Sequence, residues 1–271
     1  MQVVSEDTDN LNYKPRVVII GAGNVATHLS RGLSRGGCRI EAVCSRTQAH
    51  AERLADEFEG CEAVDNVADI PADADFYLIS TSDAAVRPIA AAMPRVKGLV
   101  AHTSGSVPME ALSTASERYA VLYPLQTFTR TTDLRLDDIP FFTEASATEI
   151  YAEIDRFAAM LSPKVYHADS DKRKTLHIAG VLSCNFANYL WDCTARVLEA
   201  DGYGLDVVRP LIEQTLRKAM TIGPEAAQTG PAMRGDRAVI ESHISRLDTE
   251  TARIYREITD AIMRRHNIGQ K

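Results

Sequence analysis

Arg16-Val-Val-Ile-Ile-Gly-Ala-Gly-Asn-Val-Ala26 is the stretch whose reading decides the fold. Four consecutive branched aliphatics, Val17 to Ile20, suit a strand buried on both faces of a parallel sheet. The run passes straight into Gly21-Ala22-Gly23-Asn24-Val25-Ala26, the dinucleotide fingerprint in the variant that ends in alanine. Gly21 permits the tight turn out of the strand. Gly23 has no Cβ to block a diphosphate, and Ala26 is small enough for the next helix to pack on the strand. A helix-compatible run from Val25 to Ser34 follows. Its first N–H groups and the positive end of its dipole suit phosphate. A ligand-free strand-to-helix turn would use the same glycines, but the flanking strand and helix favour nucleotide binding. Gly21, Ala22, Gly23, Asn24 and Val25 are therefore expected to hold a dinucleotide.

Downstream, Gly36-Gly37 stops the first helix. Strands are expected over 39–45, 62–64, 75–80 and 98–103, with helices over 48–58 and 83–93 between them. Thr47 fits the N-cap of the first of these helices. Pro88 requires an early-turn position or a break in the second. This alternation predicts a doubly wound parallel sheet. Further strands are expected over 119–122, 140–143 and 164–167, with an amphipathic helix over 147–161. After Ser170 strand signals cease. A single long helix over 171–200 is expected, with Ile178, Ala179, Val181, Leu182, Phe186, Leu190 and Trp191 forming its apolar interior. Two more helical stretches, 206–222 and 236–266, flank a turn-rich segment. The expected organisation is a dinucleotide-binding α/β domain over 15–168 and an all-α domain over 169–271.

The chain has 271 residues and a formal net charge of −7, which argues against a general nucleic-acid binder. No apolar run reaches the length of a membrane span. The first fourteen residues are polar and acidic, unlike a signal peptide, and read as a loose extension. Five cysteines (Cys38, Cys44, Cys61, Cys184 and Cys193) form no C-x-x-C pair and no zinc spacing. Free thiols in a reducing cytoplasm are expected, and no metal.

The end of the second strand bears on cofactor choice. An NAD-preferring fold usually places Asp or Glu there. Here the strand ends Cys44-Ser45-Arg46-Thr47, and the nearest acid, Glu41, lies inside it. Arg46 flanked by Ser45 and Thr47 suits a dianionic 2′-phosphate, so NADP(H) is expected. Arg46 as a solvated charge beside a capping Thr47 is the alternative.

Ligands in such sheets collect at the carboxyl ends of the strands. Ser80-Thr81-Ser82-Asp83 either lies against the cofactor or caps the next helix. His102-Thr103-Ser104-Gly105-Ser106 would meet the nicotinamide end through Thr103 and Ser104. His102 is either a proton donor or a hydrogen-bonded residue of a capping turn. In Tyr123-Pro124-Leu125-Gln126-Thr127-Phe128, Gln126 and Thr127 either touch substrate or stabilise the loop.

The 102–106 and 123–128 loops, together with Pro140-Phe141-Phe142, Leu176-His177-Ile178-Ala179, Cys184-Asn185-Phe186, Gln228-Thr229-Gly230-Pro231 and Arg234-Gly235-Asp236, resemble one family over about residues 16–266. It comprises Rossmann-like proteins with a helical C-terminal domain of unknown function, described as NADP oxidoreductases. Pyrroline-5-carboxylate reductase, the β-hydroxyacid dehydrogenases and the deazaflavin-dependent NADP reductases are its wider relatives. The resemblance implies a helical domain of the 6-phosphogluconate dehydrogenase C-terminal type, which dimerises and closes the active site. The chain departs from the β-hydroxyacid dehydrogenases in one respect: Lys174 is followed four residues on by Ile178, where they carry Asn.

At 100° per residue His177, Asn185 and Asn188 share one sector of the long helix. Such a polar stripe pairs either with a ligand or with neighbouring helices and water. His102, His177 and Asn185 are the catalytic candidates; Gln126, Asn188 and Arg234 are the substrate-binding ones. Arg234 can grip a carboxylate, while Asp236 either pairs with Arg234 or caps a helix. The expected function is hydride transfer between NADP(H) and a small polar substrate of the imine or oxo/hydroxy-acid type, in the cleft between the domains of a homodimer. A non-catalytic dinucleotide sensor or scaffold is the alternative.

Overall fold

A computed structural model describes residues 14–131 and 134–269. The expected N-terminal extension lies almost wholly outside these residues. The chain divides into two compact units, residues 1–183 and 184–271. The sequence places the change of character at 168/169, some way before this division.

The first unit is built on one eight-stranded sheet of order 3-2-1-4-5-6-7-8. Its strands are β1 (Arg16–Ile20), β2 (Arg39–Cys44), β3 (Glu62–Val64), β4 (Phe76–Ile79), β5 (Leu99–His102), β6 (Tyr119–Pro124), β7 (Phe141–Ala145) and β8 (Val165–His167). Every neighbouring pair is parallel except β6 and β7. Helices α1 (Asn24–Arg35), α2 (Gln48–Ala55), α3 (Asp83–Ala92) and α4 (Thr148–Leu161) connect them.

The fingerprint strand shows why its aliphatic run is unbroken. Side chains alternate across a sheet. Val17 and Ile19 join one buried cluster with Leu29 and Leu33 of α1 and Phe157 of α4. Val18 and Ile20 join a second cluster on the opposite face with Val86 and Ala90 of α3. Phe76 stacks on Phe157 with ring centroids 4.1 Å apart. Because β1, β2, β4, β5 and β6 are parallel, the loops that follow Ile20, Cys44, Ile79, His102 and Pro124 all emerge at one edge. Pro88 neither starts nor breaks α3 but lies inside it.

The helix expected over 171–200 is interrupted. Helix α5 (Ser170–Gly180) leads into a π-helical turn, Val181–Asn185, and then α6 (Phe186–Glu199). A π turn advances less per residue than an α turn, so the stretch does not keep the uniform 100° register assumed for one α-helix. All but Val181 of the apolar residues assigned to this helix's interior are also exposed: Ile178 is 60% accessible, Leu182 59% and Phe186 56%. Apolar periodicity marks a face that prefers to leave water, but not the surface that covers it.

The second unit continues with α7 (Arg209–Ile222), two single turns α8 (Pro224–Ala227) and α9 (Pro231–Arg234), then α10 (Arg237–Ile244) and α11 (Thr249–Arg265). The stretch expected as one helix over 236–266 is thus two. Asp248 caps α11, its carboxylate accepting from the N–H groups of Glu250 and Thr251. The unit's own core is small, centred on Ile240, Ile244 and Ala252. Phe186, Trp191, Leu211, Leu216 and Met220 are exposed. No helix among the described residues is long and apolar enough to cross a membrane.

Candidate functional site

The loops at the carboxyl edge enclose a cleft of about 1120 Å³. It is lined by the whole Gly21–Val25 turn, by Ser45 and Arg46, by Ser80, Thr81 and Ser82, and by Thr103 and Gln126. Residues drawn from five separate loops on glycine, hydroxyl and charge criteria therefore meet on one surface. Thr47 and Ser104 do not line it, although their neighbours do.

The two fingerprint glycines serve different ends. Gly21 has φ +116°, and a Cβ there would stand 2.2 Å from the Ser80 carbonyl oxygen. It is needed for β1 and β4 to lie side by side as well as for the turn. A Cβ at Gly23 would meet no protein atom within 4 Å. The space it leaves opens onto the N-terminus of α1, where no side chain caps the first turn and no acidic residue occupies it. Uncapped N–H groups at that end are an anion site. The residues fit a dinucleotide diphosphate.

At the β2 end, Arg46 is exposed and forms no ion pair among the described residues. Thr47 occupies the N-cap position of α2 without a side-chain cap bond, so the capping role open to it in the sequence is not taken. Glu41 is engaged elsewhere, 3.5 Å from Arg16. Ser82, at the N-cap of α3, likewise makes no cap bond. Asp83 accepts a short hydrogen bond from the Ser106 hydroxyl and so ties the loop after β4 to the loop after β5.

His102 is fully buried. Its Nδ1 accepts from the Ser104 N–H at 3.1 Å, which places the ring proton on Nε2. Nε2 has no partner among the described residues. Burial first, and the Arg173 charge second, push this imidazole down to about 4. It is neutral at ordinary pH and has no exposed surface from which to deliver a proton. Its observed contact folds the loop.

That loop is fixed from below by Arg173 of α5, which is 1% accessible. Its guanidinium pairs with the buried Glu144 and donates from Nε to the Ser104 carbonyl at 3.2 Å and from Nη2 to the Val107 carbonyl at 2.6 Å. Glu144 also accepts from the Ser170 N–H at 3.1 Å. Removing one partner from such a pair strands the other charge in a low dielectric, at a cost of about 3–5 kcal/mol. Gly105, at the crest of the loop, is pressed against two side chains: a Cβ there would stand 2.9 Å from both His177 Nδ1 and Tyr123 Cζ. His177 is exposed, and its Nδ1 lies 3.3 Å from the buried Tyr123 hydroxyl. Burial raises the Tyr123 phenol, partly opposed by the Arg173 charge, and so keeps it protonated.

Three expected residues, Asn185, Asn188 and Arg234, belong to the second unit. Asp236 takes the capping option, accepting from the Val239 N–H at 3.2 Å. Among the described residues no group of three or more His, Cys, Asp and Glu side chains is placed to hold a metal ion. Residues without a sequence motif also line the cleft, among them His50, Asn66 and Arg130. Tyr123 was legible only as part of a loop, because a strand tyrosine looks like core. Arg130 lies 108 residues from the Ala22 carbonyl that it contacts, a separation that no local pattern encodes.

Two family models match the chain. Residues 3–98 match shikimate/quinate 5-dehydrogenase, and residues 139–262 match a domain of unknown function, DUF2520. No curated protein matches. Among solved structures, a Bacteroides fragilis protein named as a proposed NADP oxidoreductase is 38% identical, with a TM-score of 0.85, over 94% of this chain and 98% of its own. A Thermotoga maritima protein is 20% identical, with a TM-score of 0.67, over 94% and 100%. A reductive aminase from Aspergillus terreus, solved with NADPH and ethyl levulinate, is 17% identical, with a TM-score of 0.70, over 93% and 95%. The last two share the fold. With identity sustained along nearly the full length of both chains, the protein belongs to the family of the Bacteroides fragilis protein, a Rossmann-type region followed by a DUF2520 domain.

Proposed function

We propose that this protein is an NADP(H)-dependent oxidoreductase acting on a small polar substrate of the imine or oxo/hydroxy-acid type. The observation that carries the proposal is the single cleft in which the uncapped α1 N-terminus, the open face of Gly23 and the unpaired Arg46 meet. The name of the relative at 38% identity supports it. The N–H groups after Gly21 would hold the diphosphate. Arg46 and Ser45 would take the 2′-phosphate, where a guanidinium matches phosphate oxygens in pairs. Thr103 and Gln126 would line the nicotinamide end. When bound, the reduced nicotinamide supplies the hydride.

The chain's own part in the chemistry is to hold a proton. In the reductive direction the nitrogen or oxygen of the reduced bond needs one. Tyr123 Oη holds a proton that burial keeps in place. His177, exposed on one side and in contact with that hydroxyl on the other, connects it to solvent. Of the two expected histidines, His177 is the one that reads as catalytic, acting with Tyr123, and Asn185 stays a candidate beside it.

We also infer that the helical unit pairs with a second copy of the chain. Phe186, Trp191, Leu211, Leu216 and Met220 are too many large apolar side chains to leave in water on one small unit. The residues 184–271 would then serve dimerisation and substrate binding, and the residues before them the cofactor.

The test is NADPH consumption by purified protein across cyclic imines, 2-oxo acids and aldehydes. Turnover of a member of the panel supports the proposal. NADPH binding without turnover of any supports a sensor instead.

A further inference from the structure

Arg130 follows β6, lines the cleft and reaches the fingerprint turn. Its Nη2 donates a short hydrogen bond to the Ala22 carbonyl. Its Nε is sealed from solvent with no partner among the described residues, and no carboxylate there lies within ion-pair distance. The segment that carries it is fastened to α1 at two points. Asn24 Nδ2 donates to the Phe128 carbonyl at 3.0 Å, and His28 Nε2 contacts the Thr129 carbonyl at 3.0 Å. The His28 and Phe128 rings lie 5.6 Å apart. A guanidinium held in place, partly buried and lacking an anion is costly unless an anion completes it.

We propose that Arg130 is a diphosphate-binding residue, acting beside the backbone amides of the Gly21–Val25 turn with which it shares the cleft. It supplies the full positive charge that the α1 dipole offers only in part. This rests on the dinucleotide reading above. The bridging diphosphate is common to NADPH and NADH, whereas Arg46 faces the 2′-phosphate that only NADPH carries. The two arginines therefore divide the cofactor between them: Arg130 sets affinity for any dinucleotide, and Arg46 sets the choice.

The experiment is calorimetric titration of wild type, Arg130→Gln and Arg130→Lys with NADPH, NADH and adenosine 2′-monophosphate, which lacks the diphosphate. Arg130→Gln is expected to weaken NADPH and NADH by the same factor, about ten- to a hundred-fold, the worth of a hydrogen bond to a charged group. Adenosine 2′-monophosphate should bind it as it binds wild type, and Arg130→Lys should recover part of the loss. If Arg130→Gln does not fold, Arg130→Lys is expected to weaken both dinucleotides alike. Unchanged dinucleotide affinity in the folded variants overturns the proposal. An equal loss for adenosine 2′-monophosphate also overturns it, because Arg130 then only shapes the cleft. A wild type that binds neither dinucleotide defeats the underlying reading and this inference together.

Discussion

The Tyr123 hydroxyl lies 3.3 Å from His177 Nδ1, and the crest of the His102–Ser106 loop closes on both through Gly105. A buried phenol beside an exposed imidazole combines a retained proton with a route for replacing it. Tyr123→Phe removes the hydroxyl and leaves the ring in place. For a general acid the expected loss in kcat is about 10²-fold or more. The Kd for NADPH should stay within about twofold, since Tyr123 does not line the cofactor cleft. Single-turnover NADPH oxidation on a responsive substrate measures the first quantity and calorimetry the second. An unchanged kcat would remove Tyr123 from the proton path.

Gly21 and Gly23 are predicted to respond oppositely to the same substitution. Gly21→Ala forces a side chain into positive φ and against the Ser80 carbonyl. The backbone strain alone is about 1–3 kcal/mol, before any parting of β1 from β4. Gly23→Ala meets no protein atom and exchanges one N-cap residue for a poorer one, at no more than about 1 kcal/mol. Its effect should fall on NADPH affinity. Urea denaturation and NADPH titration of both variants separate the two roles. A Gly23→Ala protein that binds NADPH as wild type does would show that no ligand occupies that space.

His102 predicts a pH dependence of stability. Its imidazole is lowered from 6.5 to about 4 in the folded chain. Between those values the unfolded chain binds a proton that the folded chain does not, so stability falls as pH falls through this window. The displacement corresponds to about 3 kcal/mol once the pH is below both values. The slope from His102 fades as pH rises past 6.5 and is gone about one unit above it. In His102→Asn the acid loss should shrink by that amount. Denaturation midpoints of wild type and variant, measured from pH 7 to pH 4, test this, and parallel curves would contradict it.

The α/β frame was legible because its signals are local. An aliphatic run that fills both faces of a sheet, glycines at a strand exit and the alternation of strand and helix each occupy a few adjacent residues. That the fingerprint turn, Ser45, Arg46, the Ser80–Ser82 loop, Thr103 and Gln126 line one cleft was legible for the same reason, since parallel strands deliver their exits to one edge. What escaped depends on distance. The pairs Arg173 with Glu144, Tyr123 with His177 and Arg130 with Ala22 join residues far apart in sequence. The break at Val181–Asn185 escaped because a π turn keeps helical composition while changing the angular register. For His102 the sequence left a proton donor and a hydrogen-bonded turn residue open, and complete burial with the Ser104 contact matches the second.

The central claim is that the carboxyl-edge cleft binds a nicotinamide dinucleotide and prefers the phosphorylated form. Calorimetric titration of NADPH and NADH into wild type and Arg46→Ala measures this most directly. The account predicts one NADPH per chain, tighter than NADH in wild type, with that preference lost in Arg46→Ala while NADH affinity holds. No binding heat or competition with either nucleotide on folded protein would contradict it.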